Sequence, residues 1–189
     1  MKILIISDTH HDIYRAETVI RQLKKAGPLD ILVHCGDYYD DAVKLGNMFG
    51  IDTVAVRGNC DRSFTRDEFA ILETEAGDFF VTHGNMYNVG YSNEDVYDTA
   101  LQYNCTGAIF GHTHRAENVD MDGFLLLNPG SLTRPRDGSD GTFAILNTSE
   151  AGFEANIIRY DDFIKGNARP SGKAKAGHLR ELFNWADGQ

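Results

Sequence analysis

Cysteine is scarce in this 189-residue sequence: Cys35, Cys60 and Cys105 are the only three, and none stands in C-x-x-C spacing. An odd, scattered set argues against a disulfide framework or a structural zinc knuckle and favours a reducing, cytoplasmic setting. Long apolar runs are missing too. Ile3–Ile6 and Phe124–Leu127 are typical in length, whereas a membrane helix needs about 20 such residues. The start, Lys2, four apolar residues, then Ser7 and Asp8, has no signal-peptide core. The chain is shorter than the roughly 250 residues of an ordinary (β/α)₈ barrel. Basic residues are few, 18 against 28 acidic ones, for a net charge of −10. Residues 1–162 carry 13 basic and 26 acidic side chains, and residues 163–189 carry 5 and 2. So acidic a body argues against nucleic-acid or anionic-membrane partners. The basic tail reads as a solvated helix and linker or as a partner contact. The remaining composition, 42 % hydrophobic and 24 % charged, is that of a soluble globular domain.

Organisation follows from periodicity. Lys2–Ser7 is a β-branched run read as a buried parallel strand. Asp12–Ala26 has helical spacing, with Ile13, Ala16, Val19, Ile20 and Leu23 on one stripe, and Gly27-Pro28 ends it. Leu29–His34 predicts a second strand, Asp40–Phe49 a helix through Ala42, Val43, Leu45 and Phe49, and Asp52–Val56 a third strand. The β-α-β-α-β opening specifies a layered α/β domain. Phe69–Glu73 and Asp78–Thr82 then read as a hairpin. Ser92 and Asp95 form a capping box for a helix reaching Tyr103. Thr106–Phe110, Gly123–Leu127, Thr142–Leu146 and Phe153–Tyr160 complete about nine strands. Residues 161–173 read as a linker and Gly177–Ala186 as a terminal helix, so the expected division is a domain over 1–162 and an extension over 163–189.

Polar residues collect where strands end. Asp8 and His10, Asp37, Asn59, His83, and His112 with His114 each follow an apolar strand. The carboxyl ends of parallel strands share one edge, where α/β proteins build their sites. Alone, each group has an ordinary explanation as a turn former or cap. His112 and His114, two apart in an extended segment, would point the same way. Two Asp, one Asn and four His offer oxygen and nitrogen without thiolate, a set suited to Mn²⁺, Fe²⁺, Zn²⁺ or Ni²⁺ and not to calcium. Seven ligands exceed one tetrahedral ion and fit two ions about 3.5–4 Å apart sharing a carboxylate.

The order D-x-H (Asp8, His10), G-D (Gly36, Asp37), G-N-C-D (Gly58 to Asp61), H-G (His83, Gly84) and G-H-x-H (Gly111 to His114) resembles the calcineurin-like metallophosphoesterases, in particular the small bacterial and archaeal YfcE-type phosphodiesterase branch. Asn128-Pro129-Gly130-Ser131 also resembles that branch, and the resemblance covers roughly residues 1–160. It implies a four-layer α/β/β/α sandwich of two mixed sheets. It implies a phosphodiesterase in which a hydroxide bridging two divalent ions, Mn²⁺ above all with Ni²⁺, Fe²⁺, Zn²⁺ or Mg²⁺ as alternatives, attacks a small phosphate ester. Asp8, His10 and His114 would hold one ion, Asn59, His83 and His112 the other, and Asp37 would bridge. The family commonly has a histidine where Cys60 stands, so the catalytic set implied is Asp37, Asn59, Cys60, Asp61 and His83, with the proton donor to the leaving group left open.

Two alternatives stay open: a phosphomonoesterase or nucleotide phosphatase, and a non-catalytic protein-binding scaffold of the retromer-subunit type. A homo-oligomer is equally open. A dinucleotide-binding domain fails for want of G-x-G-x-x-G, and a haloacid-type phosphatase for want of Asp-x-Asp after the first strand. Cys35 and Cys105 read as core residues, His11 and His34 as packing or surface residues, and Ser131 as structural. Arg15, Arg134 and Arg136 are read as surface residues or phosphate contacts, and His178 has no readable role.

Overall fold

A computed structural model describes residues 1–62 and 66–166. Among the described residues ten strands form two mixed five-stranded sheets. In order along the chain come β1 (Lys2–Ile6), α1 (Tyr14–Ala26), β2 (Ile31–His34), α2 (Tyr39–Phe49), β3 (Asp52–Ala55), β4 (Phe69–Leu72) and β5 (Phe79–Thr82). A 3-10 turn (Asn85–Tyr87) precedes α3 (Glu94–Gln102), β6 (Gly107–Ile109), β7 (Ala116–Met121), β8 (Phe124–Pro129), β9 (Thr142–Ser149), β10 (Gly152–Arg159) and α4 (Tyr160–Ile164). One sheet runs β10-β9-β1-β2-β3, the other β4-β5-β6-β8-β7.

Strand alternation makes the layers. In β1, Ile3 and Ile5 face the second sheet, meeting Phe79, Val81, Ile109, Leu125 and Leu127, while Leu4 and Ile6 face the helices with Ala16, Val19, Ile20 and Leu23 of α1. In the second sheet Phe80, Ala108 and Leu126 turn outward onto Val96 and Ala100 of α3. Helices, sheet, sheet and helix therefore stack as the four layers expected. Truncating a fully buried residue of the middle layer such as Ile5 to Ala would cost about 2–5 kcal/mol.

The differences from the sequence reading are local. β7 escaped it because AENVDM is polar and shows no clean alternation. It is an edge strand, held by its ladder to β8 across the Asp122-Gly123 turn, and three of its residues are exposed. Val43 of α2 is 40 % exposed, and Asp41, Ala42, Leu45 and Gly46 are the buried face. The expected capping box does not form: Asn93 is the N-cap and makes no side-chain cap bond, Ser92 Oγ accepts the Glu94 N–H, and Asp95 accepts from Asn88 Nδ2 instead of closing a box. Residues 161–164 continue α4, with Phe163 buried against Phe143, where a linker was expected. The expected Gly177–Ala186 helix, His178 and the rest of the tail lie outside the described residues. Among the described residues no helix is long and apolar enough to cross a membrane.

Candidate metal centre

The loops after β1, β2, β3, β5 and β6 bring Asp8, His10, Asp37, Asn59, His83, His112 and His114 toward one edge of the two sheets. Five of these seven, Asp8, His10, Asp37, His112 and His114, have φ between 48° and 67°. Non-glycine residues enter this left-handed region at a cost of about 1–2 kcal/mol each, so the surrounding contacts must hold them there. Glycine is required for space as well. A Cβ on Gly58 would stand 2.6 Å from the Asp37 nitrogen and 2.9 Å from His83 Cδ2.

Ligand atoms of Asp8, His10, Asp37 and His114 all lie within 4.8 Å of one another. His114 Nε2 is 3.1 Å from Asp8 Oδ1 and 3.4 Å from His10 Nε2, and His10 Nε2 is 3.9 Å from Asp37 Oδ2. The other oxygen of Asp37 turns the opposite way, 3.4 Å from His83 Nε2, which is itself 3.2 Å from Asn59 Oδ1. His112 packs edge-on against His83, ring centroids 5.1 Å apart. The expectation that His112 and His114 share one direction is corrected here. Both are left-handed turn residues beyond the end of β6, so His114 joins Asp8 and His10 while His112 joins His83.

Hydrogen bonds set the histidine tautomers. His83 Nδ1 donates to the Cys35 carbonyl at 2.7 Å and His114 Nδ1 to the Arg134 carbonyl at 2.6 Å. Each Nε2 lone pair is thereby aimed at the carboxylates, the usual way of orienting a metal-binding imidazole. Burial depresses the His10 pKa, with Arg134 adding to the effect, and burial with His83 depresses that of His112, so both are neutral at pH 7. Burial alone would raise Asp8, but His114 and His83 outweigh it and hold the carboxyl below its ordinary value. At His114 burial is likewise outweighed, by Asp8, and the pKa rises. A proton and a cation thus compete for the space between His114 and Asp8.

That space fits a metal ion. Asp8 is fully buried, and its Oδ1 meets no hydrogen-bond geometry among the described residues. A buried, unpartnered carboxylate oxygen is costly. Atoms each about 2.1 Å from one ion lie roughly 3–4 Å apart, as these do.

The surroundings brace these residues. Ser131 Oγ and Thr133 Oγ1 both donate to the Asp8 carbonyl, and Asn128 Nδ2 donates to the Gly111 carbonyl and to Thr113 Oγ1. Asp61 accepts from Tyr39 N and Gly58 N, both at 2.7 Å, which makes it a staple between the loops after β2 and β3. Cys60 N donates to Asp37 Oδ1 at 2.9 Å, and the Cys60 thiol is pushed up to about 11 by burial first and Asp37 next. Arg15 does not face the site: its guanidinium donates to the Leu132 and Asp140 carbonyls and lies over Tyr160. Sequence reasoning missed Tyr38, whose ring meets His10 edge-on at 5.4 Å and lies 3.8 Å from the exposed His11 ring. It also missed Asp41, which accepts from Thr9 Oγ1 and His11 N, because a helical carboxylate ordinarily reads as a solvated face. A cavity of about 410 Å³ between α2 and β3 is lined by Tyr39, Val43, Asn47 and Thr53 and by none of the seven candidate residues.

Residues 1–151 match the calcineurin-like phosphoesterase superfamily domain. The probable metallophosphoesterase YsnB of Bacillus subtilis is 28 % identical over 162 residues, covering 86 % of this chain and 91 % of the relative. The phosphodiesterase YfcE of Escherichia coli is 26 % identical over 171 residues, covering 78 % and 88 %. Among solved structures, wild-type Vps29 complexed with zinc from Entamoeba histolytica superposes with a TM-score of 0.71 at 18 % identity, covering 89 % of this chain and 96 % of that one.

Proposed function

From the premise that this chain belongs to the calcineurin-like phosphoesterase superfamily, we propose that it is a dinuclear metal-dependent phosphoesterase acting on phosphodiesters. Asp8, His10 and His114 would hold one ion, Asn59, His83 and His112 the second, and Asp37 would bridge. The observation that carries this reading is Asp37 itself: one carboxylate oxygen faces His10 at 3.9 Å and the other faces His83 at 3.4 Å. A donor set of oxygen and imidazole nitrogen supports Mn²⁺ first, with Ni²⁺, Fe²⁺, Zn²⁺ or Mg²⁺ as substitutes. Three free cysteines support a cytoplasmic setting.

Divalent ions bound there supply Lewis-acid polarisation of a phosphoryl oxygen and a water of lowered pKa. The protein supplies orientation. The Cys35 and Arg134 carbonyls fix the rings of His83 and His114, and the Cys60 N–H fixes one oxygen of Asp37. Preorganised groups of this kind need no rearrangement during the reaction. No imidazole stands at position 60 to protonate the leaving oxygen, and a thiol near 11 is a poor substitute. This favours substrates whose leaving group departs as a stable anion.

The test is turnover of an aryl phosphodiester and an aryl phosphomonoester before and after dialysis against a chelator, then with Mn²⁺ or Ni²⁺ restored. Loss on chelation and recovery with metal, greater on the diester, is expected. Undiminished activity in metal-free protein refutes the reading. A stronger response of the monoester turns it to a phosphomonoesterase. Silence on both with metal bound favours a protein-binding scaffold, which the Vps29 likeness of the fold keeps in view.

A further inference from the structure

Two cations at the rim of the ligand cluster are fixed there by their backbone. His114 donates from Nδ1 to the Arg134 carbonyl at 2.6 Å, and the His114 carbonyl accepts the Arg136 N–H at 2.9 Å. The tethers flank Pro135, whose ring holds φ near −65°. The same loop also grips Asp8: Ser131 Oγ donates to the Asp8 carbonyl at 2.9 Å and accepts the Arg134 N–H at 3.0 Å. Thr133 Oγ1 reaches the Asp8 and Thr9 carbonyls, each at 3.2 Å. Arg134-Pro135-Arg136 therefore cannot leave the cluster without unseating Asp8 or His114.

Both arginines are exposed, and neither guanidinium has a hydrogen bond or ion pair among the described residues. In a body with twice as many acids as bases this calls for a reason. The acid beside them, Asp137, is already engaged, with Oδ2 on Ala116 N and Oδ1 on Ser139 N.

We propose, resting on the phosphoesterase reading above, that Arg134 and Arg136 recognise a second phosphate on the substrate, so that the substrate class is a phosphate ester carrying a further phosphate. The scissile group must sit on Asp8, Asp37 and His114, which are at most 3 % exposed. The exposed guanidiniums meet what projects outward from it. A planar guanidinium binds phosphate through two parallel hydrogen bonds. Two of them on a proline-stiffened, stitched loop lose little freedom on binding.

The experiment is calorimetric titration of Mn²⁺-loaded protein with thymidine 3′,5′-bisphosphate and with thymidine 5′-monophosphate. Wild type should bind the bisphosphate about 10-fold more tightly, an advantage that shrinks with added salt. Arg134→Ala and Arg136→Ala should each reduce that ratio severalfold, Arg134→Lys should retain part of it, and Arg21→Ala on α1 should leave it unchanged. A wild-type ratio near one overturns the inference, as does a ratio untouched by both alanine variants. Equal losses on both nucleotides in variants that circular dichroism shows folded overturn it too, since the arginines would then serve the scissile group. Turnover of bis(4-nitrophenyl) phosphate by wild type is measured alongside. Turnover with a ratio near one sinks this inference alone. Absence of turnover sinks the phosphoesterase reading, and the ratio still reports on the arginines.

Discussion

Lowering the pH from 7 to 4 in metal-free protein titrates a histidine that the fold holds neutral. His34 is fully buried at the end of β2. Gly36 N donates to its Nδ1 at 3.2 Å, so the proton resides on Nε2, which donates to Thr9 Oγ1 at 3.0 Å, and Thr9 donates on to Asp41 at 2.7 Å. A second proton on Nδ1 would break the Gly36 bond and place a charge in the core. Burial accordingly lowers the pKa to about 4, against the opposing pull of Asp8 and Asp41. The unfolded chain titrates near 6.5, so the depressed value corresponds to about 3 kcal/mol. The sign is definite. Above pH 6.5 neither state binds the proton and the full stability is present. Between 6.5 and 4 the unfolded state binds it first and stability falls, and below 4 this group removes nothing more. Urea denaturation with chelator present, at pH 4, 5, 6 and 7, should show wild type losing about 3 kcal/mol more than His34→Gln, with a steepest slope of about 1.4 kcal/mol per pH unit. Glutamine can still donate to Thr9 but does not titrate. Its lower stability at pH 7, from the orphaned Gly36 N–H, cancels because only the pH dependences are compared. Parallel curves for the two proteins would refute the reasoning.

Three further outcomes are expected. Gly58→Ala should push Asp37 and His83 apart and lower metal affinity about 10–100-fold, read by metal titration, because its Cβ would stand 2.6 Å from the Asp37 nitrogen; unchanged affinity would mean the two loops move freely. Asp37→Ala should lose both ions by elemental analysis and melt at a lower temperature in the presence of metal, since bound metal stabilises only the folded state; loss of one ion alone would contradict the bridge. In a series of substituted phosphodiesters, wild-type rates should fall steeply as leaving-group pKa rises, and Cys60→His should flatten the slope by supplying a general acid worth about 10²–10⁴-fold on alkyl leaving groups; a flat wild-type dependence would reveal a proton donor elsewhere.

The strands that lead into the candidate site residues could be read from the chain because their signals are local. A β-branched run such as Lys2–Ile6 closed by Ser7 and Asp8 announces a buried strand and its turn within a few residues. The α1 stripe Ala16, Val19, Ile20 and Leu23 follows from helical spacing and is buried as read. β7 could not be read, since an edge strand answers to its partner's backbone and AENVDM has no apolar face of its own. The His112–His114 pair was misread because extended geometry was assumed where the backbone is left-handed, and φ is decided by the bonds that catch each residue on arrival.

The sequence by itself therefore determined which residue types end the strands, and with them an oxygen and nitrogen donor set with no thiolate. The tertiary structure alone decided how those residues are placed relative to one another. β9, more than 130 residues beyond β1, pairs with it antiparallel, and the loop that precedes β9 carries Ser131 and Thr133 to the Asp8 carbonyl and Arg134 to His114. Nothing local encodes those contacts, because a strand's partner is chosen by the register and faces of the whole sheet. The two oxygens of Asp37 face opposite ways for the same reason: the carboxylate sits where three loops from two sheets meet, and His10, His83 and Cys60 approach it from different loops.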